Sequence, residues 1–174
     1  MRAFLLGLLV SFGATALNSA PVNGVFQSID GGSLDLGAYR GGPVLVVNTA
    51  SLCGFTGQYE DMQVLYDTYR DKGLTVVAVP SNDFNQELSS AAEVKDFCEV
   101  RFDLDMPLAD ITPVTGQGAH PFFLAVAKET GFVPRWNFNK ILLSPTGEVV
   151  GTWGSLTKPM SSAIRSAVEA QLQG

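Results

Sequence analysis

Cys53 stands where a reactive thiol is expected. It follows Val44–Thr49, a run of apolar and β-branched residues typical of a buried strand, and a helical pattern begins soon after it. Backbone N–H groups at the start of a helix favour the thiolate, which is the nucleophilic form of cysteine. No Lys, Arg or His lies between Thr49 and Tyr66, so further activation must come from residues that the fold brings in. A buried inert cysteine and half of a structural disulfide are the alternatives.

Apart from Cys53, few residues are candidates for a reactive thiol or a metal ligand. Cys98 is the only other cysteine and lies on the apolar face of a helical segment, where it could pack as a small hydrophobe. A structural Cys53–Cys98 disulfide is a further alternative, because exported chains with two cysteines commonly form one. The single histidine, His120, has no partners at metal-ligand spacing, so we expect it to brace a loop beside Pro121.

Several common catalytic motifs are absent from the sequence, namely the P-loop, G-x-G-x-x-G, G-x-S-x-G and C-x-x-C. Their absence argues against a nucleotide enzyme, a serine hydrolase and a dithiol oxidoreductase of the usual kind. The formal net charge of −6 argues against nucleic acid as a partner, because phosphate binding needs clustered Lys and Arg. We expect no metal and no cofactor.

The elements that must position Cys53 alternate between strands and helices. We predict a small hairpin over 25–36, buried strands over 44–49 and 74–80, and a late hairpin at 141–143 and 148–150. Helices are predicted from Tyr59 to a stop at Gly73, from a Ser89 or Ser90 cap through Cys98, over 121–128, and over 161–172.

This order of elements predicts an α/β fold with a mixed central sheet flanked by helices. The two early strands must run parallel because a helix separates them, and the late hairpin is antiparallel. The order resembles a thioredoxin-like core with an added N-terminal β-hairpin. Ligands of such open sheets bind beyond the carboxyl ends of the strands, which is the edge where Cys53 is expected.

The N-terminal segment has the features of a signal peptide. Arg2 precedes the apolar stretch Ala3–Leu17, which is short for a membrane span, and Ala14-Thr15-Ala16 fits a cleavage site. We therefore expect a cleaved signal peptide over residues 1–20, one domain over 21–174, and a periplasmic or secreted protein. An uncleaved anchor and a buried N-terminal helix are the alternatives.

Four segments together resemble the glutathione peroxidase family. They occur in family order and at family spacings over about residues 22–155. Asn48–Thr56 (NTASLCGFT) is similar to the N-x-A-S-x-C-G-x-T signature around the reactive residue. The others are similar to F-P-C-N-Q-F-G-x-Q-E, N-G-x-x-A-H-P-L and W-N-F-x-K: Val79–Glu87 (VPSNDFNQE), Gly116–Phe122 (GQGAHPF) and Pro134–Lys140 (PRWNFNK).

The resemblance implies a catalytic tetrad of Cys53, Gln86, Trp136 and Asn137. The amides and the indole N–H are neutral donors that can stabilise a thiolate and the oxygen that leaves when an O–O bond breaks. The sequence departs from the family at Ser81, which is often Cys, and the loop before Gln86 is one residue shorter. The long insertion that some members carry before the Trp is also absent, which resembles the monomeric members that accept bulky lipid hydroperoxides.

The resemblance further implies a two-cysteine cycle with Cys98 as the resolving residue. Cys53 would reduce hydrogen peroxide or organic and lipid hydroperoxides as part of a response to oxidative stress. The Cys53–Cys98 disulfide would then be reduced by a thioredoxin-like protein, with glutathione as the other candidate co-substrate. A peroxide sensor that relays a disulfide to a partner protein and a thioredoxin-like binding domain with a structural disulfide are the alternative functions.

Overall fold

The computed structural model describes residues 20–173, and within that range the chain forms a sheet, a hairpin and four α-helices. The strands are β1 Val25–Gln27, β2 Ser33–Asp35, β3 Val44–Thr49, β4 Thr75–Pro80, β5 Lys140–Leu143 and β6 Val149–Trp153. The helices are α1 Gln58–Tyr69, α2 Ala91–Phe102, α3 Pro121–Thr130 and α4 Ser162–Leu172. The expected signal peptide over residues 1–20 lies outside the described residues, apart from Ala20.

The central sheet is mixed, as the sequence predicts. Its strand order is β4-β3-β5-β6; β3 and β4 run parallel, whereas β5 is antiparallel to both of its neighbours. The N-terminal β1 and β2 form a separate antiparallel hairpin, which was also predicted. Because β3 and β4 are parallel, their carboxyl ends meet at one edge of the sheet, and the loops that follow both strands lie there.

Helices cover the sheet on both faces. On one face Leu45 and Leu142 pack in a core with side chains of α1, α2 and α4. On the other face Val46 and Ile141 pack with α3 and the hairpin. All six residues of β3 are buried, which explains why its sequence is continuously apolar up to Asn48.

The ends of the helices follow local sequence signals. Ser90 caps α2 by accepting a hydrogen bond from the Glu93 N–H at 3.3 Å, which confirms one of the two predicted caps. Gly73 ends the α1 region with φ 109° and Gly131 ends α3 with φ 72°, both in the left-handed region that glycine adopts without strain. None of the helices in residues 20–173 has the length and apolar character needed to cross a membrane.

His120 braces a loop, as expected. Its Nδ1 accepts a hydrogen bond from the Phe122 N–H at 3.2 Å, and its Nε2 lies 3.0 Å from the Val25 carbonyl oxygen. Its ring also stacks on Phe26 with 4.1 Å between ring centroids. These contacts tie the first turn of α3 to the N-terminal hairpin.

Candidate active site

Cys53 lies in a series of turns between β3 and α1. It was predicted to lie between the buried strand and the helix, and α1 begins at Gln58, one residue before the predicted Tyr59. The helix dipole acts within about one turn of the helix end, so it cannot be the main influence on this thiol. Its closest described donor is local: the Phe55 N–H points at Sγ, 3.5 Å away. The side chain is 4% exposed, which leaves the sulfur close beneath the surface.

The loop after β4 lies directly against the Cys53 loop. The Ser81 N–H donates to the Thr49 carbonyl oxygen at 3.0 Å and extends the pairing of the two strands. Further along, the Leu52 N–H donates to the Gln86 carbonyl oxygen at 2.8 Å. The residue before Cys53 is thus bonded to the backbone of Gln86, and the parallel pairing of β3 and β4 is the reason that the two loops meet.

Gln86 and Asn137 contact each other through their amides. Asn137 Nδ2 donates to Gln86 Oε1 at 3.0 Å, although the two residues are 51 positions apart in the chain. Asn137 is fully buried, and its Oδ1 has no hydrogen-bond partner among residues 20–173. The structure therefore brings two of the predicted tetrad residues together beside the Cys53 loop.

Trp136 closes the outer side of this region. Its side chain is 40% exposed, and its ring lies 5.4 Å from the Phe84 ring, centroid to centroid. Its backbone carbonyl accepts hydrogen bonds from the side-chain amides of Asn48 at 3.0 Å and Asn139. The position of Trp136 is therefore set by its backbone, while its indole ring remains partly open to solvent.

Asn48, in β3, holds the turn that carries Trp136 and Asn137. Its carbonyl oxygen accepts from the Phe138 N–H at 2.6 Å, and its Oδ1 accepts from the Asn139 N–H at 3.0 Å. Phe138 has φ 59°, a left-handed conformation that is uncommon for an aromatic residue. Such a conformation persists where the surroundings impose it, and here Asn48 supplies that restraint.

A partly buried chain of hydrogen bonds supports Asn137. Ser155 Oγ donates to the Asn137 carbonyl oxygen at 2.5 Å, and Gln58 Nε2 donates to the Ser155 carbonyl oxygen at 2.7 Å. Lys140 Nζ in turn donates to Gln58 Oε1 at 2.5 Å. Burial lowers the pKa of Lys140 to about 8, against the opposing charge of Asp61. The first turn of α1 is thereby linked to the tetrad.

Cys98 lies in a different setting, in the middle of α2 with no exposed surface. Burial raises the pKa of its thiol to about 12; the Tyr59 hydroxyl opposes this rise and the carboxylate of Glu87 adds to it. Tyr59 packs against the same helix, with 6.3 Å between its ring and that of Phe97. Both cysteines are free thiols. At neutral pH Cys98 is therefore a protonated thiol inside a helix.

Glu87 bonds to the Cys53 loop and also acts electrostatically on Cys98. Its Oε1 accepts from the N–H groups of Ser51 at 2.9 Å and Leu88 at 2.8 Å. Burial raises its pKa, while hydrogen bonds from Ser51 and Leu88 lower it. Its Oε2 has no partner among the described residues. A buried carboxyl group therefore anchors the Cys53 loop on one side and faces the surroundings of Cys98 on the other.

Several residues of this network were not predicted from the sequence. Asn48 and Lys140 carried a signal, because each is a polar residue in or next to a buried apolar strand, where an unpartnered polar group is unfavourable. Glu87 directly follows Gln86 and could have been noticed for that reason. Gln58 and Ser155 carried no signal. Among residues 20–173 no group of three His, Cys, Asp or Glu side chains is arranged to hold a metal ion.

Comparison with known proteins agrees with this geometry. The family model described as glutathione peroxidase matches residues 23–127. Hydroperoxy fatty acid reductase of Synechocystis sp. is 40% identical over 144 residues, which cover 76% of this chain and 85% of the relative. A glutathione peroxidase-like peroxiredoxin of Schizosaccharomyces pombe is 36% identical over 135 residues, with 75% and 85% coverage.

Similarity to solved structures supports the fold. A thiol:disulfide interchange protein of the thioredoxin family from Chlorobium tepidum superposes with a TM-score of 0.69 at 18% identity, over 91% of this chain and 99% of that one. This likeness confirms the thioredoxin-like fold. The family model and the 40% identical relative show that the chain belongs to the glutathione peroxidase family of thiol-dependent peroxidases.

Proposed function

We propose that Cys53 is the thiol that attacks peroxide and that Gln86, Trp136 and Asn137 assist it. The Gln86–Asn137 amide pair beside the Cys53 loop is the observation that carries this proposal. Asn137 keeps one unpaired amide oxygen and one further N–H, so it can accept a hydrogen bond from the O–H of a hydroperoxide and donate one to the oxygen that gains charge. The exposed edge of Trp136 borders the approach to this pair.

The first step balances without a cofactor. The Cys53 thiolate attacks one oxygen of R–O–O–H, the O–O bond breaks, and the leaving alkoxide takes a proton to become an alcohol. The sulfur gains the other oxygen and becomes a sulfenic acid. Neutral amide donors suit this step because they stabilise the developing charge on oxygen without neutralising the thiolate.

Cys98 is proposed to resolve the sulfenic acid. Its thiol would form a disulfide with Cys53 and release water, and a dithiol reductant would then restore both thiols. Because Cys98 is buried in the middle of α2, the helix must open first. That opening would break the contacts of buried Val94 and Cys98 and of partly buried Phe97 and Phe102 with the core.

The physiological setting is also a proposal. The sequence of residues 1–20 supports export to the periplasm or secretion, and the missing insertion before Trp136 supports a monomer. The names of the relatives, a hydroperoxy fatty acid reductase and a peroxiredoxin, support organic hydroperoxides as substrates and a thioredoxin-like protein as reductant, with glutathione as the competing candidate. A role in the response to oxidative stress follows from that chemistry.

Substitution of Gln86 tests the site directly. We expect Gln86→Ala to lower the second-order rate constant for oxidation of Cys53 by hydrogen peroxide about 100-fold, the usual effect of losing one such donor. Gln171→Ala in α4 is the matched control and should leave that rate constant at the wild-type value. Equal rate constants in both variants would contradict a role of Gln86 in peroxide reduction.

The reductant is tested by steady-state turnover. Peroxide consumption by the wild-type protein is measured with a thioredoxin-like protein and with glutathione at matched thiol concentrations. The proposal predicts faster turnover with the dithiol protein, because the Cys53–Cys98 disulfide is its substrate. Faster turnover with glutathione would contradict the two-cysteine cycle.

A further inference from the structure

An apolar groove adjoins the proposed site on the side of Trp136. It lies between residues 131–136, which follow α3, and residues 154–157, which follow β6, and it encloses about 450 Å³. Its apolar walls are Phe132, Val133, Trp136 and Leu156. A volume of this size falls in the range of about 300–1,000 Å³ that small-molecule sites occupy.

The groove walls are unusually exposed for apolar side chains. Leu156 is 85% exposed, Val133 is 42% exposed, and Trp136 is 40% exposed. Contiguous exposed apolar surface in a soluble domain commonly marks a binding site. Because Trp136 belongs to both the groove and the proposed catalytic tetrad, a molecule in the groove would touch the catalytic site at one end.

The charge of the groove indicates an anionic ligand. Arg135 is the charged residue among those that line it, and within residues 20–173 its guanidinium takes part in no ion pair. No acidic side chain of the described residues lines the groove, although the chain as a whole has a net charge of −6. An apolar groove with one Arg at its wall that forms no ion pair complements a ligand with a long apolar tail and a terminal carboxylate.

We propose that this groove binds the acyl chain of a free fatty acid hydroperoxide, with Arg135 facing the carboxylate and the hydroperoxide group reaching Cys53 past Trp136. The inference rests on the proposed role of Cys53 and assigns a substrate-binding site next to it. A groove of about 450 Å³ suits an acyl chain better than a protein partner, since a stable protein interface covers about 800 Å² on each side.

The test measures substrate preference in a single turnover, so that no reductant is needed. Pre-reduced protein is mixed with linoleic acid hydroperoxide or with hydrogen peroxide, and the rate constant for loss of peroxide is determined for each. In Leu156→Ser we expect the ratio of the fatty acid rate constant to the hydrogen peroxide rate constant to fall about tenfold. That is about 1.4 kcal/mol, or about two buried CH₂ groups.

Leu124→Ser is the matched control. Leu124 is 47% exposed on α3 and lies outside the groove lining, so this variant should keep the wild-type ratio. Arg135→Met provides a second test with the methyl ester of the same hydroperoxide. We expect the ratio of acid to ester rate constants to fall several-fold, because the ester has no charge for Arg135 to bind.

Three results would overturn the proposal: an unchanged preference in Leu156→Ser, an unchanged acid-to-ester ratio in Arg135→Met, or an equal loss of preference in Leu124→Ser. If Leu156→Ser slows only the reduction of the oxidised protein by a thioredoxin-like protein, the groove is a docking surface for the reductant and the proposal is wrong. Failure of the proposed role of Cys53 is seen separately, as peroxide consumption that survives Cys53→Ser.

Discussion

The two cysteines occupy regions of opposite character. Cys53 lies in a loop just beneath the surface, where a backbone N–H points at its sulfur and the Gln86–Asn137 amide pair lies beside the loop. Cys98 lies inside a helix with no exposed surface, beside Tyr59 and within the field of Glu87, and its pKa is raised to about 12. In the proposed cycle Cys53 reacts in the folded state, whereas Cys98 reacts only after α2 opens.

We therefore expect that burial alone does not decide the reactivity of these two thiols. Both side chains have little exposed surface, 4% for Cys53 and 0% for Cys98. What separates them is the polarity of the atoms that face the sulfur and the cost of moving the backbone. A loop already presents its thiol, while a residue in the middle of a helix must break hydrogen bonds first.

The largest expected effect comes from removing the reactive thiol. Cys53→Ser should lower peroxide consumption by about 1,000-fold or more, because a serine hydroxyl is not ionised at neutral pH. The measurement is the loss of hydrogen peroxide in the presence of excess reductant. Retained consumption that depends on Cys98 would reverse the roles of the two regions.

Removing the Cys98 thiol should leave the first round of peroxide reduction intact but block turnover. In Cys98→Ser we expect one equivalent of peroxide to be reduced at the wild-type rate, followed by no turnover with a thioredoxin-like reductant, since no disulfide forms. Rapid mixing gives the first round and a steady-state assay gives the second. Full turnover in this variant would instead point to glutathione or another external thiol.

A smaller effect concerns the protection of Cys98. A thiol with a pKa of about 12 is ionised to only about one part in 10,000 at pH 8. We expect iodoacetamide to modify Cys98 in Cys53→Ser at least about 100-fold more slowly than Cys53 in Cys98→Ser, as followed by mass spectrometry. Glu87→Gln should raise the rate at Cys98 several-fold, because it removes a nearby negative charge. Equal rates at both thiols would show that the two regions do not differ.

The smallest expected effect is a difference in pH dependence between the two regions. The folded pKa of Lys140 is lowered from 10.5 to about 8, so the unfolded chain binds more protons above pH 8 and stability should rise with pH. Between pH 8 and pH 9 this adds about 1 kcal/mol to the free energy of unfolding. The raised pKa of Cys98 has the opposite sign and lowers stability only above pH 9, the ordinary value for its thiol.

Urea unfolding of the wild type and of Lys140→Met at pH 7, 8 and 9 isolates the lysine contribution. The wild type should gain stability relative to Lys140→Met as the pH rises. If the difference in the free energy of unfolding between the two proteins stays constant across this pH range, the pKa of Lys140 is not lowered.

Local signals in the sequence were sufficient for most of the fold. The apolar run of β3, the glycine stops at Gly73 and Gly131, and the Ser90 cap all act within a few residues, and each was predicted correctly. The start of α1 at Gln58 lies one residue before the predicted Tyr59, but the contacts made there were not predicted: Gln58 is buried against Lys140 and Ser155. A helical sequence pattern cannot register such contacts.

The identity of Cys53, its position after a buried strand and its membership of a four-segment signature were determined by the sequence alone, because they depend on residue type and order. The pairing of Gln86 with Asn137, the support of that pair by Ser155 and the burial of Cys98 beside Tyr59 were decided only by the tertiary structure. The physical reason is separation along the chain. Asn137 is 51 residues from Gln86 and 18 from Ser155, and these groups meet only after the sheet and its loops have formed.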